Sequence, residues 1–586
     1  MNPDPHAILN QTFGFHAFRG AQEEVVKRVL AGRHTLAVMP TGAGKSLCYQ
    51  LPALARPGTA LVVSPLIALM HDQIRSAAEL GIRAASLTSA DSDRDQTIER
   101  FRAGELDLLY VAPERATTAG FRQLVARAPL ALIAVDEAHC VSEWGHDFRP
   151  DYRQLRGLLD EHSDVPRLAL TATADERTRT DILAQLGIPA DGLIVAGFDR
   201  PNIRYNVRPR EQTGKQLREL LARQPGPAIV YAPSRDKAEK IAEQLTATGR
   251  PSLPYHAGLD PQVRARNQAA FVKSEEMVIA ATVAFGMGID KPDVRVVAHA
   301  AIPKSIEAYY QETGRAGRDG ERAEAWLFWA AQDFARARQR IEQEIEPERR
   351  PAERDRLNAL AMFVEATGCR RAILLRHFGE EPPERCGNCD NCLDPPASID
   401  ATEVARKLLS AAFRTEMRFG VGYLTDVLAG NDTEKVRSFG HHRLSVFGIA
   451  SPEELTLVKP AARALIAMDA LRTDAYGGLS FGPAAKPILK GEHQLTLAVP
   501  PPRKRERRAR DHGPADPLFD ALREARRALA AEAGVPPYVI FHDSTLREIA
   551  ARKPRDLNAL SEVQGVGAVK LERYGEAMLA ALSTNG

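Results

Sequence analysis

Short apolar runs alternate with longer stretches of mixed polarity through the first half of the chain. Leu36–Met39, Ala60–Ser64, Asp107–Val111, Leu132–Val135 and Leu168–Thr171 form one series. Ala228–Tyr231, Met277–Thr282, Arg295–His299 and Ala325–Trp329 form a second. Continuous apolar runs of this kind predict strands buried on both faces, and the stretches between them predict helices. Such alternation implies βαβ units and parallel sheets, hence two α/β lobes. The boundary is predicted near residues 197–209, where Arg200-Pro201-Asn202 interrupts regular structure. From about residue 335 to 400 the chain turns helical and charged, then rich in cysteine. Residues 401–495 read as helices with a glycine-rich segment at Tyr476-Gly477-Gly478, and residues from 516 onward as a compact helical domain. Between them, residues 500–514 combine prolines with Arg503, Lys504, Arg505, Arg507, Arg508 and Arg510. That is the composition of a solvated tether, which in a nucleic-acid enzyme can add phosphate contacts.

Composition narrows the class. A chain of 586 residues exceeds the ~250–300 residues one core usually serves, so several domains are expected. With 44% hydrophobic and 26% charged residues, it has the balance of a globular protein. A formal charge of only +2 gives no general affinity for nucleic acid, which must come from local patches. No apolar run approaches the ~18–20 residues that span a bilayer. The start, Met1-Asn2-Pro3-Asp4-Pro5-His6, has neither the basic nor the apolar region of a signal peptide. A cytoplasmic location with reduced thiols is therefore expected.

Chemistry enters at Met39-Pro40-Thr41-Gly42-Ala43-Gly44-Lys45-Ser46. A glycine-rich turn between strand and helix, ending in Lys-Ser, is a triphosphate cradle. Gly42 and Gly44 let the backbone approach phosphates with its N–H groups inward. Lys45 would reach the β- and γ-phosphates, and Ser46 would hold Mg²⁺. Met39 stands where the usual motif has its first glycine. Downstream, the run Leu132–Val135 delivers Asp136-Glu137-Ala138-His139 at a strand end, where ligands bind in open α/β sheets. Asp136 would share Mg²⁺ with Ser46, and Glu137 would orient or deprotonate the attacking water. The reaction implied is hydrolysis of a nucleotide's terminal phosphate. Later, Gln311-Glu312-Thr313-Gly314-Arg315-Ala316-Gly317-Arg318 sets two arginines on one face. They read either as fingers for transition-state charge or as a surface ion-pair patch. A strand and glycine-interrupted turn, Ala281–Asp290, precedes them, and Leu170-Thr171-Ala172-Thr173-Ala174 leaves the first lobe's sheet.

These motifs, in this order, resemble the set of a superfamily 2 helicase. Phe18-Arg19-Gly20-Ala21-Gln22 before the phosphate loop and Trp144-Gly145-His146-Asp147-Phe148-Arg149-Pro150 after Asp-Glu-Ala-His tighten the likeness to the RecQ family of DNA helicases, bacterial members in particular. The resemblance spans nearly the whole chain. It implies an α/β fold of two RecA-like parallel-sheet lobes, at residues 1–205 and 206–335. A helical zinc-binding subdomain (336–398), a winged-helix domain (399–495), a basic linker (496–514) and a small all-α HRDC domain (515–586) would follow. It implies a catalytic set of Lys45, Asp136, Glu137, His139, Arg315 and Arg318. Nucleotide contacts would come from Arg19, Gln22, Thr41, Gly42, Gly44, Lys45 and Ser46, with Gln22 reading adenine. ATP, Mg²⁺ and Zn²⁺ are the cofactors expected.

Trp144, His146 and Phe148 are planar groups beside the hydrolysis site, and aromatic faces stack on unpaired bases. They would report single-stranded DNA to Asp136 and Glu137, with Arg149 on a phosphate or the nucleotide; an aromatic cluster packed between lobes is the plainer alternative. Cys386, Cys389 and Cys392, at two-residue spacings, with Cys369 upstream, suit a closed tetrahedral Zn²⁺ site. An iron–sulfur cluster or free thiols remain open, and His377 could replace a thiol. In residues 401–495, Phe419–Leu424 and Gly440–Leu444 carry the winged-helix likeness; Arg437, His441, His442 and Arg443 could touch duplex backbone or form a solvated basic face. Asp474–Phe481 would be the wing hairpin. In the last domain, Val535–Phe541 and Gly565-Val566-Gly567 carry the HRDC likeness; the glycine turn could bind a phosphate or simply pack, and Lys570 and Arg573 are weak DNA-contact candidates. The resemblance implies unwinding of DNA with 3′-to-5′ polarity in recombination, repair and replication. Single-stranded and duplex DNA, a single-stranded-DNA-binding protein and a topoisomerase are the partners implied, for a monomer without membrane association. An RNA helicase and a non-catalytic DNA-binding scaffold are the competing readings; a scaffold would not need an intact Lys45, Asp136, Glu137 and Arg318.

Overall fold

A computed structural model describes residues 4–88, 91, 93–143, 148–285, 291–473, 478–499 and 516–585. The first lobe is built on seven strands: β1 (Thr35–Val38), β2 (Thr59–Val63), β3 (Ala84–Leu87), β4 (Leu108–Val111), β5 (Leu130–Val135), β6 (Arg167–Thr171) and β7 (Leu193–Val195). They lie in the order β3-β4-β2-β5-β6-β1-β7, every pair parallel. Alternate side chains enter two separate cores. Leu36, Leu61, Leu109 and Ile133 join one; Ala37, Val62, Tyr110 and Ala134 join the other. Helices cover both faces, which is why the central strands read as unbroken apolar runs.

The second lobe repeats the plan with β8 (Ile203–Pro209), β9 (Ala228–Tyr231), β10 (Ser252–Tyr255), β11 (Val278–Ala281), β12 (Val296–His299) and β13 (Ala323–Trp329). Their order is β10-β11-β9-β12-β13-β8, again all parallel. The nine strands expected from apolar runs are present within a few residues of the expected bounds. Four others, β3, β7, β8 and β10, are absent from that expectation, and they are the four sheet edges. Edge strands meet water on one side and carry weaker patterns. β10 contains Pro254, tolerated where one ladder is missing. β8 alternates Ile203, Tyr205 and Val207 with Arg204 and Arg208. The break expected at Arg200-Pro201-Asn202 is present between β7 and β8, and the second lobe's sheet begins at Ile203.

Helices Ala331–Glu344, Arg350–Glu365 and Arg370–His377 then lead to the cysteine cluster. Beyond it, helices Thr402–Arg414, Val421–Ala429, Glu434–Ser438 and Pro452–Ala467 pack around Leu408, Leu424, Val427 and Leu465. β14 (Ala397–Asp400) pairs antiparallel with β17 (Thr496–Val499), and β15 (Leu471–Thr473) with β16 (Leu479–Phe481). Residues 496–499, expected to open the linker, are therefore a strand of this domain. β15 and β16 pair antiparallel around the segment expected to form the wing; residues 474–477 and 500–515, the latter including the expected basic linker, lie outside the described residues. The last domain is five helices, from Pro517–Ala533 to Ala568–Asn585, around Leu522, Ile549, Leu560 and Met578. Among the described residues no helix is long and apolar enough to cross a membrane.

Candidate active site

Strand register sets the site. Val38 pairs with Thr171, Val135 with Ala169 and Val63 with Val135. The loops after β1, β2, β5 and β6 therefore leave one edge of the sheet together, at the carboxyl ends where α/β proteins bind ligands. The loop after β1 is the glycine-rich turn. Gly42 and Gly44 take φ of 86° and 73°, values costly for any residue with a Cβ. Lys45 folds back over the turn, its Nζ donating to Met39 O at 3.1 Å and Pro40 O at 3.4 Å. Gln22, expected to read adenine, braces the turn from behind. Its Nε2 donates to Ala43 O at 2.9 Å and Gly44 O at 3.3 Å, and its Oε1 accepts from Arg19 N at 2.8 Å. The Arg19 guanidinium lies 5.5 Å from the Phe15 ring centre.

After β5, Glu137 adopts φ 49°, ψ 45°, a left-handed conformation uncommon and strained for glutamate. Its N–H donates to Asp136 Oδ1 at 2.9 Å. Tyr152 holds Asp136 from the main chain, its hydroxyl donating to Asp136 O at 3.0 Å. Burial, then Cys140 and Asp136, push the Tyr152 phenol well above its usual 10, so it stays a donor. His139 is buried, with Nδ1 3.0 Å from Thr171 Oγ1 and 3.3 Å from Glu137 Oε2. The Thr171 hydroxyl donates to Thr173 O at 3.1 Å. It therefore accepts from His139, which assigns the proton to Nδ1. His139 is thus hydrogen-bonded to the Thr171-Ala172-Thr173 turn and stands beside the Glu137 carboxylate.

The second lobe brings the turn that carries Arg315 and Arg318 to the same place, with Arg318 beside Gly42 and the Arg315 side chain against Tyr231. Both ride on the turn after helix Ile306–Thr313. A Cβ built on Gly314 would lie 3.1 Å from Thr41 Cβ, and one on Gly42 would lie 3.3 Å from Arg318 Cγ. The arginine turn thus rests against the glycine-rich turn of the first lobe. Between them sits a residue that sequence reasoning passed over. The Arg200 guanidinium donates to Thr41 O and to Gly314 O, Ala316 O and Gly317 O. In the sequence its only sign was an arginine beside the break between lobes.

Trp144, His146 and the intervening Gly145, with Asp147, lie outside the described residues, as do residues 286–290. Phe148 and Arg149 are described. The Arg153 guanidinium lies 5.3 Å from the Phe148 ring centre. Arg149 is tied to the Asp136 loop, its N–H donating to Cys140 O at 2.9 Å, and its Nη1 donates to Pro65 O at 3.4 Å.

The four cysteine sulfurs lie within 4.8 Å of one another. Cys386–Cys392 and Cys369–Cys389 are each 3.9 Å apart. A tetrahedral zinc site with Zn–S near 2.3 Å needs S···S of about 3.8 Å, so the donor set fits Zn²⁺. His377 is not in the set; its Nε2 pairs with Glu307 at 2.6 Å. Behind the cluster, buried Asp390 binds Arg370 at 3.2 Å, Arg208 at 3.2 Å and Val207 N at 2.9 Å, tying the cysteines to β8.

The remaining candidates are dispersed. Arg437 is exposed and forms two hydrogen bonds with Asp432, at 2.8 and 2.6 Å. His441 accepts or donates at 2.6 Å to the Tyr423 hydroxyl and packs with Phe419 and Phe439. His442 Nε2 accepts from Arg443 Nε at 3.3 Å. The Gly565-Val566-Gly567 turn is packed, not open. Gly565 N–H donates to Gly14 O at 2.7 Å, and a Cβ on Gly567 would meet Thr12 O at 2.9 Å. Arg573 and Tyr574 both reach Glu79, at 3.2 and 3.1 Å. Burial lowers Lys570 to about 8.

Comparison with known proteins assigns the class first. Residues 19–182 match the DEAD/DEAH box helicase family and residues 212–320 the helicase conserved C-terminal domain, so the paired lobes are a helicase core. Residues 331–393 match the RecQ zinc-binding family, 395–506 the RQC domain and 515–582 the HRDC domain. The chain is 41% identical over 590 residues to the ATP-dependent DNA helicase RecQ of Haemophilus influenzae, covering 99% of this chain and 95% of that protein. It is 41% identical to the protein of that name from Pasteurella multocida (97% and 92% covered) and 38% identical to that from Bacillus subtilis (98% and 97%). The chain belongs to the RecQ family of helicases.

Proposed function

We propose that this chain hydrolyses ATP on single-stranded DNA and uses the energy to unwind duplex DNA with 3′-to-5′ polarity, in recombination, repair and replication. The observation that carries the reading is the contact of the two turns: a phosphate cradle on one lobe faces paired arginines from the other. Lys45 binds the β- and γ-phosphates, and Arg315 and Arg318 stabilise charge as the terminal phosphoryl group leaves. Glu137 orients and deprotonates water, with His139 positioning its carboxylate. Ser46 and Asp136 are the residues that would hold Mg²⁺, which neutralises phosphate charge when bound. Arg19, Gln22 and Thr41 complete the nucleotide contacts; Gln22 must trade loop carbonyls for a base edge.

Trp144, His146, Phe148 and Arg149 couple single-stranded DNA to Asp136 and Glu137, since the segment's described end is bonded to Cys140. Arg437, His441 and His442 meet duplex backbone, Arg437 after releasing Asp432. Cys369, Cys386, Cys389 and Cys392 hold a structural Zn²⁺. The lobes divide between β7 and β8, and the zinc-binding region starts with helix Ala331–Glu344; the winged-helix domain runs from 399 to 499, with β14 attached, and the HRDC domain from 515. The protein works as a cytoplasmic monomer, with a single-stranded-DNA-binding protein and a topoisomerase as partners. The test is unwinding of duplexes with a 3′ or a 5′ single-stranded tail, with and without ATP. ATP-dependent opening of the 3′-tailed duplex alone is expected. Failure to split ATP on DNA, or equal opening without ATP, overturns the reading.

A further inference from the structure

We propose that Arg200 is a positioning residue for ATP hydrolysis: it fixes where the Arg315–Arg318 turn stands against the phosphate loop, and the cysteine module holds Arg200 in place. This rests on residues 39–46 being the triphosphate cradle. Arg200 lies on the short connection from β7 to β8, the point where the chain passes from one lobe to the other. Among the described residues its hydrogen bonds go to main-chain carbonyls alone. Nη1 donates to Thr41 O in the first lobe and to Gly314 O, 3.2 Å away, in the second. Nη2 donates to Ala316 O at 3.0 Å and Gly317 O at 2.9 Å. A planar fork of donors can hold several acceptors at once, which a lysine ammonium cannot do in one plane.

Each partner carbonyl has a consequence for the chemistry. In a trans peptide the C=O and the next N–H point opposite ways. Holding Thr41 O therefore sets the direction of the Gly42 N–H, one of the groups a phosphate would meet. On the other lobe, residues 314, 316 and 317 bracket Arg315 and lead into Arg318. Asn202 adds to this, its Nδ2 donating to Gly317 O and Glu321 O, both at 2.8 Å. A rotated peptide at Thr41 and a shifted arginine turn are thus read by one guanidinium.

Arg200 is itself held from the cysteine module. Arg371, whose helix is capped by Cys369, donates through Nη2 to Arg200 O at 3.1 Å, Pro201 O at 3.3 Å and Ile203 O at 2.7 Å. Asn388, between Cys386 and Cys389, donates through Nδ2 to Pro201 O at 3.0 Å. The cysteine module thereby anchors the backbone from which Arg200 reaches the phosphate loop.

The test is steady-state ATPase of the full chain on single-stranded DNA. Arg200→Ala is expected to lower kcat about ten- to hundredfold with KM for ATP changed less than about threefold, the pattern for a contact that matters in the transition state. Low-millimolar guanidinium should restore part of that rate and leave the wild type unchanged. Asn388→Ala should lower kcat two- to fivefold or so with bound zinc unchanged, and should add nothing in the Arg200→Ala background. Should Arg200→Ala not fold, Arg200→Lys replaces it, with a kcat loss of about three- to tenfold. Unchanged kcat, a raised KM at constant kcat, absence of guanidinium rescue, or additive effects of the two substitutions each overturn the inference. An inactive wild type would overturn the helicase reading with it, whereas an active wild type beside an equally active Arg200→Ala overturns the positioning role of Arg200 alone.

Discussion

Removing the Glu275 carboxylate should loosen the C-terminal helical domain from the helicase core. Glu275 belongs to the second lobe and is 7% exposed at its side chain. It receives Arg526 at 2.7 Å, Arg527 at 2.7 Å and Arg523 at 3.2 Å, all from the last domain. Burial opposes its ionisation, but Arg527, Arg523 and Arg526 outweigh it, so its carboxyl sits below the usual range. Arg526 is 2% exposed, and breaking a buried pair costs about 3–5 kcal/mol. Arg526 keeps Asp543 at 2.7 Å and Phe541 O at 2.8 Å inside its own domain, which favours the lower end. Arg527 is 52% exposed and adds roughly 0–1 kcal/mol. About 3 kcal/mol is roughly a hundredfold in the ratio of docked to released domain. Hydrogen exchange at the Gly565 amide reads this ratio, since that N–H is bonded to Gly14 O in the first lobe. Glu275→Gln should cut its protection by about a hundredfold, while Glu524→Gln, exposed on helix Pro517–Ala533 that carries the three arginines, should not. Equal protection in Glu275→Gln and wild type would refute the idea that one buried carboxylate locks the domain across both lobes.

Glu137→Gln should lower DNA-stimulated kcat by about a hundredfold or more with DNA binding by fluorescence anisotropy unchanged; near-normal turnover would remove Glu137 from the reaction. Cys389→Ser should abolish bound zinc by elemental analysis and cost on the order of 4 kcal/mol; full metal content at wild-type stability would contradict the four-sulfur site. Glu307 gives a pH prediction. Burial opposes its ionisation, but the His377 hydrogen bond and charge bring it down to about 2 from 4.5. A depressed carboxyl stabilises above its unfolded value, so this contribution of about 3 kcal/mol is present above pH 4.5 and lost as pH falls toward 2. Chemical unfolding at pH 6 and pH 3 should therefore fall less between the two in His377→Gln than in wild type, and an identical drop would exclude the pair as a source of acid sensitivity.

The chain's local pattern was enough for features whose causes are local. Strands β1, β2, β4, β5 and β6 lie inside a sheet covered on both faces, so burial wrote itself as unbroken apolar runs such as Leu132–Val135. The phosphate turn needs two residues at positive φ and a lysine within a few positions, and Gly42, Gly44 and Lys45 say so directly. The edge strands β3, β7, β8 and β10 were not legible, because an edge owes its existence to one neighbour supplied from elsewhere in the chain. Likewise the sequence left Arg437 open between a duplex contact and a solvated face, and Gly565–Gly567 open between binding a phosphate and packing. Only folding paired Arg437 with Asp432 and set the Gly565 turn on Gly14. Arg200 is the sharpest case: its meaning lies in four carbonyls from residues 41, 314, 316 and 317. Sequence alone determined which segments carry chemistry, since spacing constrains nearby atoms. Tertiary structure decided which of those segments touch, since a carbonyl presents the same backbone group whatever residue bears it.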